Sequence, residues 1–465
     1  MGSHRHRGDH LLASALMKTT YAIALVVLIG LSFIAHAIQP RRQVNGKLLL
    51  TWTSDDNPAR REQIKLFNDL YPQYELRLDP GNVDMAKVIV QSLAGVGPEL
   101  FDCYSQAQLA AFVKAGVAWD VSPLYEKHGM KVEDIWSVVH PNFIYEGKPY
   151  GHPTNAATDA VWYNKKLFRE NGVPYPAGDW TWEEFIETAK KLTKKGADGR
   201  PEYFGYLSNR SEWYPMIRQF GGRLYTEDGT RCAMNSPECI RAIQLMQDLI
   251  YKYEVMPGPN QEAAMAAAGG WGSGVITLFG GGKGAMAHGG RWWLCLLRQY
   301  EDLDLGVTEM PHGPKKVFWG YGRATLVNRL SPYREQAFDF IRFEHDRPYN
   351  ELINHQADAL APVIQYCTGE KFLHDPEFPK EDYNQTWSDV MKCGEPIESS
   401  PFVDGQEAQR IIDVQMDLVR TNAKSAADAC RDIAKKIDRE IMKRLDEEPE
   451  LRMKWERLTG ERAAA

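Results

Sequence analysis

The run Gly280-Gly281-Gly282-Lys283-Gly284 has the residue types of a phosphate loop, in which backbone N–H groups and a lysine ammonium meet phosphate oxygens. Its spacing fails that chemistry. Thr277 stands five residues ahead of Gly282 where a glycine is needed, and Gly284 follows Lys283 in place of a magnesium-holding Ser or Thr. Ser273 in Trp271-Gly272-Ser273-Gly274-Val275 lacks both flanking glycines of a nucleophile elbow. The carboxylate pairs Asp55-Asp56 and Asp404 with Glu407 suit the acid and nucleophile of a glycosidase, but such pairs are also common on solvated faces. No catalytic residue is assigned. His4, His6 and His10 resemble a metal cluster yet lie in a leader, no C-x-x-C occurs, and no H-x-x-x-H spacing occurs beyond His6 to His10 in that leader, so no metal ligand is assigned either. Cys232 and Cys239 flank a turn at Asn235-Ser236-Pro237, where a local disulfide and two separate thiols both stay open. The other five cysteines read as buried small hydrophobes.

The elements that would position a site alternate strand and helix. Lys47 to Thr51 reads as a strand, Pro58 to Tyr71 as a helix with Ile64, Phe67, Leu70 and Tyr71 on one face, and Tyr74 to Leu78 as a second strand. That is a β-α-β unit, which requires a parallel pair, and a third apolar run follows at Leu100-Phe101. A helix around Gln108 to Ala115 ends at Gly116. Thr181 with Glu184 forms a capping box, and Ser236-Pro237 and Ser331-Pro332 each place a cap residue before a first-turn proline. Cys430, Ile433, Ile437 and Ile441 form the core stripe of a long amphipathic helix near the C-terminus. The class is α/β, with no repeat and no Gly/Ser linker.

Composition narrows the function. A chain of 465 residues, 43% hydrophobic, is long enough for two or three domains and too apolar for disorder. Its 55 Lys+Arg against 62 Asp+Glu exclude a nucleic-acid binder that relies on overall positive charge. The 13 Trp and 21 Tyr against 17 Phe favour rings with a polar handle. Tyr21 to Ala37 carries no charge, follows Lys18 and ends in Ala35-His36-Ala37, the pattern of a secretory signal cleaved after Ala37. The 17 uncharged residues, followed by Arg41 and Arg42, also fit an uncleaved membrane anchor. Without residues 1–37, which hold three cations and one anion, the net charge falls from −7 to −9.

From Gly147 onward a series of motifs accumulates: Gly147-Lys148-Pro149-Tyr150-Gly151-His152-Pro153, Trp162 to Phe168, Asn171-Gly172-Val173 and Thr181 to Phe185. Gly221-Gly222, Asp228-Gly229, Gly282-Lys283-Gly284-Ala285-Met286, Gly290-Arg291-Trp292, Met310-Pro311, Gly320-Tyr321-Gly322 and Ala361-Pro362 follow in order. Together, over roughly 46–445, they resemble the family 1 extracellular solute-binding proteins of ABC importers, the group containing maltose-binding protein. The resemblance implies a two-lobed periplasmic-binding-protein fold of type II, with three hinge crossings and a cleft between the lobes. It places the crossings near Asn155 to Asp159, Glu309 to Pro311 and Pro362 to Gln365. Lobe I is then 46–156 plus 310–362 and lobe II 157–309 plus 363–447, between the leader 1–37 and a C-terminal tail 448–465.

Sugars present C–H faces that stack on aromatic rings and hydroxyls that meet planar polar side chains. Loops at the C-terminal ends of parallel strands supply both. After the first strand stand Trp52, Asp55 and Asp56; after the third, Tyr104, Ser105 and Gln106; before the first crossing, Asn155. By resemblance Asn209, Ser211 and Trp213 also contribute, and Trp292 is the G-x-W tryptophan that stacks on sugar, with Trp293 the buried neighbour. His288 and Arg291 are placed to meet hydroxyls or an acidic sugar, and Trp319 and Tyr321 follow the second crossing. Trp162 and Trp182 pack the lobes. The resemblance implies a monomer without cofactor that binds a carbohydrate, an oligosaccharide above all, and serves ABC permease subunits, touching the membrane only through its N-terminal segment. A secreted glycan-cleaving enzyme and a tethered sensor of the same fold are the alternatives, and polyamines, phosphodiesters and metal complexes are alternative ligands.

Overall fold

The computed structural model describes residues 25–30, 43–81, 85–197, 201–208, 212–265 and 274–462. Most of the leader, with His4, His6 and His10, and the two candidates Asn209 and Ser211 lie outside the described residues. Residues 25–30 are helical, and no helix among the described residues is long and apolar enough to cross a membrane.

The first β-α-β unit forms as its sequence dictates. β1 (Lys47–Thr53) leads to α1 (Pro58–Leu70), whose start is fixed by Asn57: its side-chain oxygen accepts from the Arg60 N–H, and Pro58 occupies a position with no helical donor to lose. β2 (Tyr74–Asp79) then pairs with β1 in parallel, Leu50 opposite Leu76. β3 (Leu100–Cys103) pairs with the other side of β1, and α2 (Gln106–Lys114) follows it directly, capped by the Ser105 hydroxyl on the Gln108 N–H.

The long strand β4 (Gly151–Asn164) precedes α3 (Trp182–Leu192), which opens on the predicted capping box of Thr181 and Glu184. β5 (Pro201–Leu207), α4 (Trp213–Gln219), α5 (Pro237–Tyr251), β6 (Gly284–Gly290) and β7 (Leu305–Thr308) follow. The chain continues through β8 (Phe318–Val327), α6 (Arg334–His345), α7 (Arg347–Gln356), α8 (Asn384–Met391) and β9 (Gly394–Glu395). It ends with α9 (Gly405–Arg420), α10 (Ala426–Glu447) and α11 (Pro449–Thr459).

The main path of the mixed sheet runs β2-β1-β3-β8-β4-β6-β5. β4 serves two half-sheets in turn. Residues Gly151 to Thr158 pair antiparallel with β8, and from Asp159 to Asn164 the same strand pairs with β6 and β7 instead. The chain therefore passes from one half-sheet to the other between Thr158 and Asp159. Each half buries its own aromatic core: Trp52, Phe67, Phe101 and Phe340 in the first, Trp182, Phe185, Tyr206 and Trp293 in the second.

Three sequence expectations change. Ser331-Pro332 does not cap a helix; Ser331 Oγ accepts from the Tyr333 N–H in a turn, and α6 starts at Arg334. Cys232 and Cys239, left open between a disulfide and two thiols, are separate buried thiols, and of the other cysteines Cys295 and Cys393 are only partly buried, contrary to their reading as core residues. Residues 449–459 form a helix whose Trp455 is 3% exposed and donates to the Thr230 carbonyl at 3.0 Å. The α10 stripe of Cys430, Ile433, Ile437 and Ile441 is buried as read.

Candidate functional site: an aromatic cavity between the half-sheets

A cavity of about 490 Å³ opens where the half-sheets divide, within the size range of small-molecule sites. One wall comes from the β3–α2 junction, with Tyr104, Ser105, Gln106 and Gln108. β8 supplies Trp319, Gly320 and Tyr321, and the segment from Pro396 into α9 supplies Glu398, Ser399, Ser400, Gln406, Gln409 and Asp413. The two sides touch: Ser399 Oγ donates to Gln106 Oε1. Gly405 faces Ala107 so closely that a Cβ on it would meet the Ala107 methyl at 2.6 Å.

The aromatic wall is held by directed hydrogen bonds. Trp319 and Tyr321 lie with ring centroids 4.6 Å apart at 34°. The Tyr321 hydroxyl donates to Asp159 Oδ1 at 2.7 Å and accepts from the Trp292 indole N–H at 3.0 Å. Trp292 is half-buried while Trp293 beside it is 1% exposed, as the sequence suggested. Gly290 permits this meeting, since a Cβ there would collide with both the Tyr321 hydroxyl and the Trp292 indole.

Behind the wall His288 is buried completely, its Nε2 3.1 Å from Asp159 Oδ2 and its Nδ1 3.5 Å from Glu212 Oε2. Burial opposes a charge on the imidazole, but the two carboxylates outweigh it and raise its pKa to about 10. His288 is therefore an imidazolium at neutral pH and cannot reach a ligand, contrary to its reading as a hydroxyl contact. Burial, reinforced by Asp159, raises the Tyr321 phenol well above its ordinary value, so it stays a neutral donor.

A second buried cluster lies on the other half. Trp52 is not a stacking platform. It is 0% exposed, packs on Phe340 with centroids 4.9 Å apart, and donates its Nε1–H to Asp102 at 3.0 Å. Asp55 is held by Arg60 at 3.0 Å and by Arg323, and Asp358 accepts Arg60 at 2.6 Å. Burial works against the charge on Asp55, yet Arg323 and Arg60 outweigh it and hold its carboxyl well below the usual carboxylate range. A bulge between Arg323 and Ala324 leaves Thr154 outside the β4–β8 register, and Arg323 Nε donates to Thr154 Oγ1 at 3.0 Å. Tyr104 connects this cluster to the cavity: its ring is 41% exposed and its hydroxyl donates to Asp102 at 3.1 Å.

The remaining predicted residues divide. Ser105 and Gln106 reach the cavity, although the Ser105 hydroxyl is committed to its helix cap. Asp56 is exposed and paired with Arg61 at 3.0 Å. Asn155 is spent within the sheet, accepting from the Arg323 N–H at 3.1 Å and donating to the Asp358 carbonyl at 3.3 Å. Trp213 is buried against Tyr214, with centroids 5.8 Å apart. Arg291 is buried and donates to the Asn354 and Ala359 carbonyls at 3.0 and 2.9 Å, a structural tie to α7. Of the 396–413 wall the sequence offers only Phe402 and Gln406, of which Gln406 lines the cavity and Phe402 is buried. The wall is anchored by segments far off in the chain: Gly394-Glu395 pairs with Phe318-Trp319, Tyr214 bonds to Pro396 and Glu398, and Ser400 donates to the Gly229 carbonyl.

A mixed α/β sheet in two halves, with an aromatic and polar cavity at their division, defines a ligand-binding protein fold. The chain belongs to the bacterial extracellular solute-binding proteins, whose family model matches residues 52–343. A binding protein of Brucella abortus (strain 2308) is 25% identical over 348 residues, 72% of this chain and 80% of that protein. An ABC substrate-binding protein of Listeria monocytogenes, solved in complex with cycloalternan, superposes with TM-score 0.72 at 22% identity, covering 84% of this chain and 98% of that one. The UgpB protein of Mycobacterium tuberculosis, solved with glycerophosphocholine, gives TM-score 0.69 at 19% identity over 86% of this chain and 99% of its own. These neighbours share the two-lobed fold.

Proposed function

We propose that this is an exported protein that captures a carbohydrate, above all an oligosaccharide, between two lobes and delivers it to a membrane ABC permease without covalent chemistry. The observation that carries the reading is the cavity wall: Trp319, Tyr321 and Tyr104 offer ring faces, and Gln106, Gln409, Ser399 and Ser400 offer hydroxyl partners beside them. Trp292 does not itself line the cavity, but it is half-buried and hydrogen-bonded to Tyr321, which sets it at the edge of this aromatic wall. The lobes are 46–156 with 310–362 and 157–309 with 363–447, hinged at the three crossings. The change of pairing at Thr158 and Asp159 supports the first of them. Closure around ligand then follows from tighter binding to the closed form.

Among the described residues the cavity is poor in free cations. Arg410 is paired with Glu407, and Arg218 with Glu398 and Glu395, which favours a neutral sugar over a glycerophosphodiester. A thermal-shift panel of neutral oligosaccharides, uronates, polyamines and glycerophosphocholine tests this, since a ligand at a hundred times its Kd adds about 2.7 kcal/mol to stability. A neutral oligosaccharide raises the unfolding midpoint and is recovered uncleaved by chromatography. Stabilisation by glycerophosphocholine or polyamines alone, or cleavage of the sugar, refutes the reading.

A further inference from the structure

The donors and acceptors behind the aromatic wall run in one direction. An imidazolium and an indole only donate, and a carboxylate only accepts. Asp159 is therefore ion-paired with His288 through one oxygen at 3.1 Å and accepts from the Tyr321 hydroxyl on the other at 2.7 Å. With its proton committed to Asp159, the Tyr321 oxygen has only lone pairs left, and one of them takes the Trp292 indole N–H at 3.0 Å. Reversing any link would leave two donors or two acceptors face to face. The groups come from three strands at the division of the sheet: His288 from β6, Asp159 from β4, Tyr321 from β8.

We infer that His288 is a positioning residue for the cavity: through Asp159 it fixes the hydroxyl of Tyr321, and through Tyr321 it sets the plane of the Trp292 indole. The inference rests on the proposed function in treating these rings as ligand-facing, but the coupling among the four side chains can be measured without a ligand. Among the described residues the charged groups facing His288 are Asp159 from β4 and Glu212 just before α4. The neutral phenols of Tyr206 from β5 and Tyr321 from β8 lie near the same carboxylates. A structural role alone would require only that the imidazole be packed and paired. A positioning role also requires that its removal be felt two residues away, at a ring it does not touch.

The test is the indole N–H spectrum of full-length protein labelled with 15N-tryptophan, with the Trp292 signal assigned by its loss in W292F. In H288Q, D159N and Y321F the Trp292 signal should move, and in Y321F, which loses the indole's acceptor outright, its hydrogen exchange should become about tenfold faster, the effect of losing one well-made hydrogen bond. The Trp455 signal, from an indole bonded to the Thr230 carbonyl, should stay in place. An unchanged Trp292 signal in folded H288Q overturns the inference. Should H288Q fail to fold, the isosteric D159N and a titration of the wild type toward pH 10 decide the matter by the same signal. The carbohydrate panel is run separately on the wild type: its failure removes the sugar reading and leaves the indole result standing.

Discussion

Two buried charge clusters flank the division of the sheet, and they are built from different cations. On one half Arg323 and Arg60 are surrounded by Asp55, Asp102 and Asp358, with both guanidinium groups near the Trp52 ring, at 5.6 and 5.8 Å from its centroid. On the other, His288 alone stands between Asp159 and Glu212. Guanidinium keeps its proton at every pH the fold survives, so the first cluster is a permanent brace. Imidazolium keeps its proton only because two carboxylates hold it, so the second is a brace with an alkaline limit. Each cluster ends on a cavity aromatic, Tyr104 on one side and Tyr321 on the other. The protein thus orients rings on both walls from buried carboxylates, Asp102 and Asp159.

The largest effect is expected of Arg323→Met, which leaves buried Asp102 without its cation and Asp55 and Asp358 with Arg60 alone, and should cost about 3–5 kcal/mol in urea unfolding. His288→Gln comes next, at about 2–3 kcal/mol near pH 7, because its amide still meets one carboxylate. The pH profile separates the two. The folded pKa of His288, about 10, lies above the unfolded value, so its contribution is complete below about pH 6.5 and is lost as pH rises toward 10. The deficit of His288→Gln should shrink over that window, and that of Arg323→Met should not. Trp292→Ala should weaken sugar binding by about 1–3 kcal/mol in calorimetry with the fold intact. The smallest effect falls on Ser105→Ala, about 1 kcal/mol of stability from the lost α2 cap, with little change in affinity.

Much of the fold was legible because its signals are local. The β-α-β unit, the Thr181 capping box and the α10 stripe each follow from a few neighbouring residues, and each is found. Ser331-Pro332 failed because a serine before proline also makes a simple turn. The site was legible in part. Tyr104, Gln106, Trp319 and Tyr321 stand on strand ends and β8, where alternation and order place them. Trp52 stands on a strand end too, but whether its ring faces the cavity or the core depends on Phe340 and Arg323, hundreds of residues away. His288 read as a ligand contact because its two carboxylate partners are far off in the chain. The polar face of α9 looked like any solvated helix face, since nothing nearby in sequence records that it borders a cavity.

Lobe closure on ligand is tested by small-angle scattering of the full chain with and without the oligosaccharide selected by the thermal panel. The radius of gyration should fall on saturation, with the change abolished in a variant that cannot bind. Superimposable profiles at saturating ligand would contradict it.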